Sequence, residues 1–304
     1  MAESSSPVSR SVHVLGVAMD YGQQRRGVSM GPAAIRYAGL HDELAALGLA
    51  VEDHGNVAGP DRDTLPHRRP HEFLPDIAGV CGQVFEHGRR SFAAGAFPIF
   101  LGGDHSLSVG TVSAAAAAHG EFGLLWVDAH GDFNTPDTSP TGNIHGMPLA
   151  ALCGLGWTEL VDLGRPGAKV APRHVVLFGA RDLDGGERRL LREQGVKVVT
   201  LSDIDRLGIH RAVAETLAHL APVAKVHVSL DLDALDSVYA PGVGTPVMGG
   251  LTWREAHYLM EELHAAGQAV SLDLVEVNPV LDSRNLTARL AVDLAASLLG
   301  KRIF

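Results

Sequence analysis

Cysteine is nearly missing from this chain. Among 304 residues only Cys81 and Cys153 occur, far apart and in no metal-binding spacing. A disulfide framework is therefore excluded, and we expect a reducing compartment, the cytoplasm. Long apolar runs are missing too, since none approaches the roughly 20 residues of a membrane span. Residues 1–10 are polar and serine-rich without the apolar core of a signal peptide, so we expect a disordered tail there and no membrane partner.

Basic residues are outnumbered by acidic ones. The chain has 25 Lys and Arg against 35 Asp and Glu, which gives a formal net charge of −10 and a pI near 5.8. We expect no nucleic-acid partner, because nucleic-acid binding requires clustered basic residues. Aromatic residues make up only 5% of the chain, but a hydrophobic fraction of 46% is enough for a full core of alanine, valine and leucine.

Short apolar or β-branched runs alternate with alanine- and leucine-rich segments of helical spacing along the whole chain. The predicted strands are 12–17, 97–101, 123–127, 174–178, 196–201, 226–230 and 269–275. Examples of predicted helices are 31–38, 107–118, 186–194, 210–220 and 253–266. The alternation predicts an α/β fold with three α/β/α layers and a central, mostly parallel sheet. No linker or composition shift divides the chain, so we expect residues 11–304 to form a single domain.

Residues of metal-ligand type follow two of the predicted strands. The candidates are Asp128, His130 and Asp132 after one strand, Asp231 and Asp233 after another, and His105 after a Gly-Gly turn upstream. Within each group they alternate, and on an extended backbone alternation places side chains on one face. The exits of buried parallel strands are where open α/β sheets place their chemistry. The pattern therefore predicts a metal site that holds two ions.

The charge of these candidates supports two ions rather than one. Four carboxylates that meet in one cleft would repel each other, and two divalent cations would balance them. Oxygen ligands dominate and no thiolate is present, which favours Mn²⁺ over Zn²⁺. Two such ions could lower the pKa of a shared water and make hydroxide. Asp132 could bridge the ions or accept a hydrogen bond from that hydroxide, and the sequence leaves both open.

In these and neighbouring residues, the chain resembles the ureohydrolase superfamily and, within it, the arginases. The similarity rests on GGDHS at 102–106, VDAHGD at 127–132, SLDLDALD at 229–236, GTPVMGG at 244–250, EVNP at 276–279 and RGVSMGP at 26–32. These motifs are spread over nearly the whole chain. The resemblance implies two Mn²⁺ per subunit in a single α/β/α domain, and assembly as a homotrimer or homohexamer.

A loop at 134–145 carries the resemblance that concerns the substrate. It is similar to the arginase loop that binds an amino-acid carboxylate, with Asn134, Ser139 and Thr141 at the corresponding positions. Their hydroxyl and amide groups can donate to a carboxylate, which only accepts hydrogen bonds. Many arginases have serine where Thr141 stands, and both residues offer a hydroxyl. Asp184 and Glu187 resemble the acids that hold the substrate α-ammonium, although by themselves they are typical of helix N-termini.

The remaining roles also follow from the resemblance, which implies hydrolysis of L-arginine to L-ornithine and urea by a metal-bridging hydroxide. Glu276 would pair with the guanidinium NH groups, because a carboxylate matches that fork. Thr245 would add a hydroxyl contact beside it. His145 would deliver a proton to the leaving amine, since imidazole titrates near neutral pH. Taken alone, His145 could instead cap a helix and Glu276 could pair with an arginine.

Two alternatives remain at this point. The first is another amidinohydrolase of the superfamily, acting on agmatine or a guanidino acid, and the 134–145 loop is the feature that separates it from an arginase. The second is a non-catalytic metal-binding homologue. A missing ligand or proton carrier would favour it, but all six candidate ligands, His145 and Glu276 are present.

Overall fold

A computed structural model describes residues 11–66 and 69–302. The predicted disordered tail at residues 1–10 lies outside this part of the chain. Eight strands form one sheet: β1 (Ser11–Val17), β2 (Ala50–Asn56), β3 (Phe97–Gly102), β4 (Gly123–Val127), β5 (Val175–Ala180), β6 (Lys197–Thr200), β7 (Val226–Asp231) and β8 (Ala269–Val275). Their spatial order is β2-β1-β3-β8-β7-β4-β5-β6, and every strand pair in the sheet is parallel.

Helices cover both faces of this sheet. They are α1 (Gly31–Tyr37), α2 (Leu40–Ala46), α3 (Leu74–Ala93), α4 (Ser108–His119), α5 (Pro148–Leu152), α6 (Thr158–Val161), α7 (Gly185–Gln194), α8 (Leu201–Leu207), α9 (Ile209–Leu220), α10 (Trp253–Ala266) and α11 (Leu286–Leu298). Along β4, Leu125 and Val127 pack into one core while Leu124 and Trp126 pack into the core on the other face. Within the described residues, no helix has both the length and the apolar character needed to cross a membrane.

The predicted three-layer α/β/α architecture is confirmed. Strands β3, β4 and β5 are buried along their whole length, which explains their unbroken apolar sequences. Strand β7 is equally buried, although its sequence, VHVSLD, alternates apolar and polar residues. Strand β2 was not predicted. Its sequence, AVEDHGN, is largely polar because it is an edge strand whose side chains are mostly exposed.

The strand order brings distant segments of the chain to one edge of the sheet. Strands β3, β8, β7 and β4 are consecutive neighbours near the middle of the sheet. Because all of them are parallel, the residues that follow each strand emerge on the same side. The candidate ligands after β3, β4 and β7, and Glu276 after β8, therefore meet there.

Candidate active site

The backbone that presents the candidate ligands is extended in part and turned in part. Strand β4 ends at Val127, and Asp132 has a positive φ of 47°. Asp231, the last residue of β7, is itself extended and caps a single 3-10 turn by accepting the N–H of Asp233 at 2.8 Å. The expected extended backbone is therefore present at Asp231 but not at Asp132 or Asp233. Tight turns at the strand ends bring these carboxylates together.

The first ligand group surrounds His105. Its Nδ1 atom lies 3.1 Å from Oδ2 of Asp128, 3.0 Å from Oδ2 of Asp132 and 3.4 Å from Oδ2 of Asp231. The imidazole is fully buried, and among the described residues Nδ1 has no aligned hydrogen-bond partner. A buried ring nitrogen that faces three carboxylate oxygens without an aligned hydrogen bond is the donor set that a divalent cation requires.

The second ligand group adjoins the first and shares Asp128 with it. Nδ1 of His130 lies 3.0 Å from Oδ2 of Asp233 and 3.4 Å from Oδ1 of Asp128. Thr245, which the resemblance placed beside the substrate, donates its hydroxyl to Oδ2 of Asp233 at 3.0 Å. All six predicted ligands thus converge. Two overlapping groups joined by one carboxylate fit a pair of ions.

The electrostatics of the bare carboxylates also call for cations. Burial raises the pKa of Asp231, and the carboxylates of Asp233 and Asp128 raise it further, well above its usual range. Burial and the Asp128 carboxylate raise the pKa of Asp132 to about 6. Burial lowers the pKa of His105, but its carboxylate partners, Asp128 first, outweigh this and raise it. Only added positive charge lets these acids stay ionised together.

A layer of polar groups beneath His105 fixes the orientation of its ring. The ring stacks on Trp126 at a centroid distance of 3.9 Å, and its Nε2 atom lies 2.9 Å from the hydroxyl of Ser229. Ser229 in turn donates to the buried carboxylate of Asp273 at 3.2 Å. Such partners orient metal-binding imidazoles. Ser229 and Asp273 were not predicted, although a polar residue inside a buried strand was a usable signal.

His145 and Glu276 form a pair beside the ligand groups. Nδ1 of His145 lies 3.0 Å from Oε1 of Glu276, and Oε2 of Glu276 accepts a hydrogen bond from Gln23 at 2.7 Å. Burial lowers the pKa of His145, but Glu276 outweighs burial and raises that pKa to about 9. Glu276 has a positive φ of 63° and also accepts the backbone N–H of His105 at 3.0 Å. Its partner is therefore a histidine rather than an arginine.

A cavity of about 270 Å³ opens over the ligands and includes every predicted substrate-binding residue. These are Asn134, Ser139, Thr141, Asp184, Glu187 and Thr245, together with His130, Asp132, His145 and Asp231. Glu276 does not line it and lies behind His145. Four further residues were not predicted: Asp182 and Asn143, which also line the cavity, and Gln23 and Arg25, which line its wider mouth. The polar run that contains Gln23 and Arg25 was a weak signal for that mouth.

The loop at 134–145 presents hydroxyl groups with a free hydrogen. The Ser139 hydroxyl accepts the N–H of Gly142 at 3.0 Å, and the Thr141 hydroxyl accepts the N–H of Asn143 at 3.2 Å. A hydroxyl that accepts one hydrogen bond still has its own hydrogen to donate. Both side chains line the cavity, so they can donate to an anionic group bound there.

Asp184 and Glu187 form a capping box at the start of α7. Oδ1 of Asp184 accepts the N–H of Glu187 at 3.0 Å, and Oε2 of Glu187 accepts the N–H of Asp184 at 3.2 Å. Both residues are therefore helix N-terminal acids, as the alternative interpretation predicted, and this does not exclude a second role. Oδ2 of Asp184 points away from the helix and accepts from Asn134 at 2.7 Å. Burial and Asp132 raise the pKa of Glu187 to about 7.

Comparison with known proteins gives consistent results over nearly the whole chain. The profile of the arginase family matches residues 10–300. Arginase from Bacillus subtilis strain 168 is 46% identical over 296 residues, which cover 97% of this chain and 100% of that protein. The crystal structure of Bacillus caldovelox arginase is 46% identical and superposes with a TM-score of 0.94 over 97% of this chain and all of that one. A hypothetical agmatinase from Burkholderia thailandensis is 26% identical, with a TM-score of 0.71 over 95% of this chain and 85% of that one.

Proposed function

The chain belongs to the arginase family, and from that membership we propose how the site described above hydrolyses L-arginine to L-ornithine and urea. It is a hydrolase that acts on the guanidino C–N bond, so the alternative of a non-catalytic homologue is set aside. The proposal rests above all on one observation. The cavity has candidate ligands for two cations at its base. Its wall carries groups that can donate hydrogen bonds to a carboxylate and groups that can accept them from an ammonium.

We propose that two Mn²⁺ ions occupy the two ligand groups. His105, Asp128, Asp132 and Asp231 would hold one ion, and Asp128, His130 and Asp233 the other. When bound, the ions would supply hydroxide at neutral pH, because divalent cations lower the pKa of water. Manganese is favoured over zinc because carboxylates outnumber imidazoles and no thiolate is present.

His145 is proposed to hold the proton that the leaving group needs. Hydrolysis forms a C–O bond at the guanidinium carbon and breaks the C–N bond to the ornithine side chain, whose nitrogen leaves as an amine only when it gains a proton. Because Nδ1 of His145 is paired with Glu276, Nε2 is the atom left to exchange that proton. The raised pKa of His145, about 9, keeps the imidazole protonated at neutral pH.

Glu276 is proposed first as the group that positions His145. Its two carboxylate oxygens accept hydrogen bonds from His145 and Gln23. Direct pairing of Glu276 with the guanidinium, which the resemblance implies, stays a prediction. For that contact the substrate would have to reach past the His145 ring, because Glu276 lies outside the cavity wall.

The outer part of the cavity is proposed to bind the amino-acid end of arginine. Ser139, Thr141 and the amide of Asn134 would donate to the α-carboxylate, and Asp184 with Glu187 would accept from the α-ammonium. Hydrogen-bond donors for the α-carboxylate and acids for the α-ammonium therefore line the same cavity, as a zwitterionic amino acid requires. A substrate without a carboxylate would leave the donors unpaired.

We expect the enzyme to prefer L-arginine to agmatine, which lacks the α-carboxylate, by roughly 10²-fold or more in kcat/KM, because agmatine forgoes charge-assisted hydrogen bonds that are worth about 1.5–3 kcal/mol each. Urea release from each compound at equal Mn²⁺ concentration measures this preference. Equal kcat/KM values would show that the 134–145 loop does not bind the carboxylate and would favour an agmatinase.

A second prediction separates the two roles of Asp184. Asp184→Ser keeps an oxygen that can cap α7 but removes the negative charge, whereas Asp184→Ala removes both. We expect Asp184→Ser to raise the KM for arginine roughly tenfold with a melting temperature close to that of the unchanged protein. Asp184→Ala should also lose about 1 kcal/mol of stability. A Ser variant with an unchanged KM would leave Asp184 only its structural role.

Two further properties stay predictions. Assembly as a homotrimer or homohexamer, which the resemblance implies, would appear in sedimentation equilibrium of the Mn²⁺-loaded protein. Residence in the cytoplasm rests on the scarcity of cysteine.

A further inference from the structure

A second cluster of metal-ligand side chains lies on the edge of the sheet, away from the active site. His13 of β1 is the register partner of Glu52 of β2, so the two side chains stand next to each other on adjacent strands. His54 follows Glu52 by two residues and therefore shares its face. Nε2 of His13 lies 3.8 Å from one carboxylate oxygen of Glu52, and Nδ1 of His54 lies 3.8 Å from the other.

We propose that His13, Glu52 and His54 bind one zinc ion at this edge of the sheet. Each of the three offers a ligand atom, and these atoms all lie within 4.8 Å of one another. Two imidazoles and one carboxylate, with water in the fourth position, form a familiar zinc ligand set. Its nitrogen content distinguishes it from the carboxylate-rich active site, which favours Mn²⁺.

The geometry needs only a small adjustment to close around an ion. Tetrahedral ligands at about 2.0–2.2 Å from zinc lie roughly 3.3–3.6 Å from one another. Each imidazole nitrogen lies 3.8 Å from a carboxylate oxygen of Glu52. The carboxylate can close this small difference, because the Glu52 side chain is 66% exposed. Its ion-pair partners within the described residues are the two imidazoles, so no lysine or arginine has to be displaced.

His13, the less exposed of the two histidines, is held in an orientation that suits metal binding. The His13 side chain is only 14% exposed, and its Nδ1 lies 3.0 Å from the hydroxyl of Ser91 on α3. This contact orients the ring with Nε2 toward Glu52, as partners of metal-binding imidazoles do. Burial and the neighbouring His54 lower the pKa of His13, which favours the neutral ring that a metal needs.

Other titratable groups nearby do not add positive charge that would repel the ion. Burial lowers the pKa of His87 on α3, and Arg90 and His54 lower it further, which favours a neutral imidazole there. Asp53, between Glu52 and His54, is engaged by Arg36 through two hydrogen bonds of 2.7 and 2.8 Å. A zinc ion would thus tie the exposed edge strand β2 to β1, independently of arginine chemistry.

The experiment is equilibrium dialysis of the Mn²⁺-loaded protein against Zn²⁺ with Mn²⁺ in excess, followed by measurement of both metals in the protein. We expect one zinc ion per chain to bind with no loss of manganese. His54→Asn and Glu52→Gln, both at accessible side chains, should weaken this binding at least tenfold. His41→Asn, at an exposed histidine of α2, is the matched control and should bind zinc like the unchanged chain.

The two metals separate the possible outcomes. Zinc that enters only as manganese leaves would reflect exchange at the active site and would overturn the proposal. Equal zinc uptake by the unchanged chain and by His54→Asn would also overturn it. If the protein retained no manganese, the proposed function would be in question, but the difference between the unchanged chain and His54→Asn would still decide the zinc site.

Discussion

Replacing both Asp128 and Asp231 with asparagine is expected to abolish urea release from L-arginine and to remove the bound manganese. Asp128 belongs to both ligand groups, with one oxygen near His105 and the other near His130. Asp231 completes the group around His105. With neutral amides at both positions, only the carboxylates of Asp132 and Asp233 would remain, too few to balance two divalent cations. We therefore expect manganese to fall well below one ion per chain and kcat to fall by at least roughly 10³-fold, about 4 kcal/mol in the barrier.

The fold should survive this change. Burial and repulsion from Asp233 and Asp128 raise the pKa of Asp231, so neutral amides at positions 128 and 231 remove this repulsion from the metal-free protein. The amide oxygen at position 128 can still accept the N–H of His130, although the pairing with His105 and His130 that outweighs burial and lowers the pKa of Asp128 is lost. Circular dichroism and the melting temperature of the metal-free variant check this point. Asp205→Asn, at an exposed acid of α8, is the control and should keep both manganese and activity. Urea release by a preparation shown to be free of metal would contradict the proposal.

His145→Asn should lower kcat by about 10²–10⁴-fold, which corresponds to about 2.7–5.4 kcal/mol, and leave the manganese content intact. Asparagine can still donate a hydrogen bond to Glu276 but cannot carry a proton at working pH. The loss should therefore appear in kcat more than in KM. His41→Asn serves again as the control for a histidine far from the cavity.

The pH dependence gives this variant a second readout. Because the pKa of His145 is raised to about 9, the protonated form dominates at neutral pH and is lost as the pH rises through that value. A limb of the kcat–pH profile that depends on this proton should be present in the unchanged enzyme and absent from His145→Asn. Identical profiles with similar kcat values would remove His145 from the mechanism.

Much of the fold could be predicted from local sequence. Strands β4 and β5 are buried on both faces, so their residues are apolar and easy to recognise in the sequence. The edge strand β2 could not be predicted, since mostly exposed polar residues resemble a loop. The six candidate ligands could also be selected from the sequence, because carboxylates and imidazoles alternate at the ends of two predicted strands.

How those ligands converge could not be inferred correctly. Alternation suggested an extended backbone, whereas Asp132 has a positive φ and Asp233 lies in a 3-10 turn. Local propensity carries little information about a strained position such as Asp132, which persists only because the surrounding packing holds it. Whether Asp184 caps a helix or binds a ligand was also undecided, since both kinds of acid have the same sequence signature.

By itself, the sequence determined the residue types at the ends of the strands, and with them the charge that requires two cations. Only the tertiary structure decided which of these residues meet. His145 and Glu276 are 131 residues apart, and they pair because the order of the parallel strands brings the end of β8 beside the segment that follows β4. His13 and Glu52 adjoin for the same reason, through the register of β1 against β2. Strand order and register come from packing between distant segments, which no local pattern of residues records.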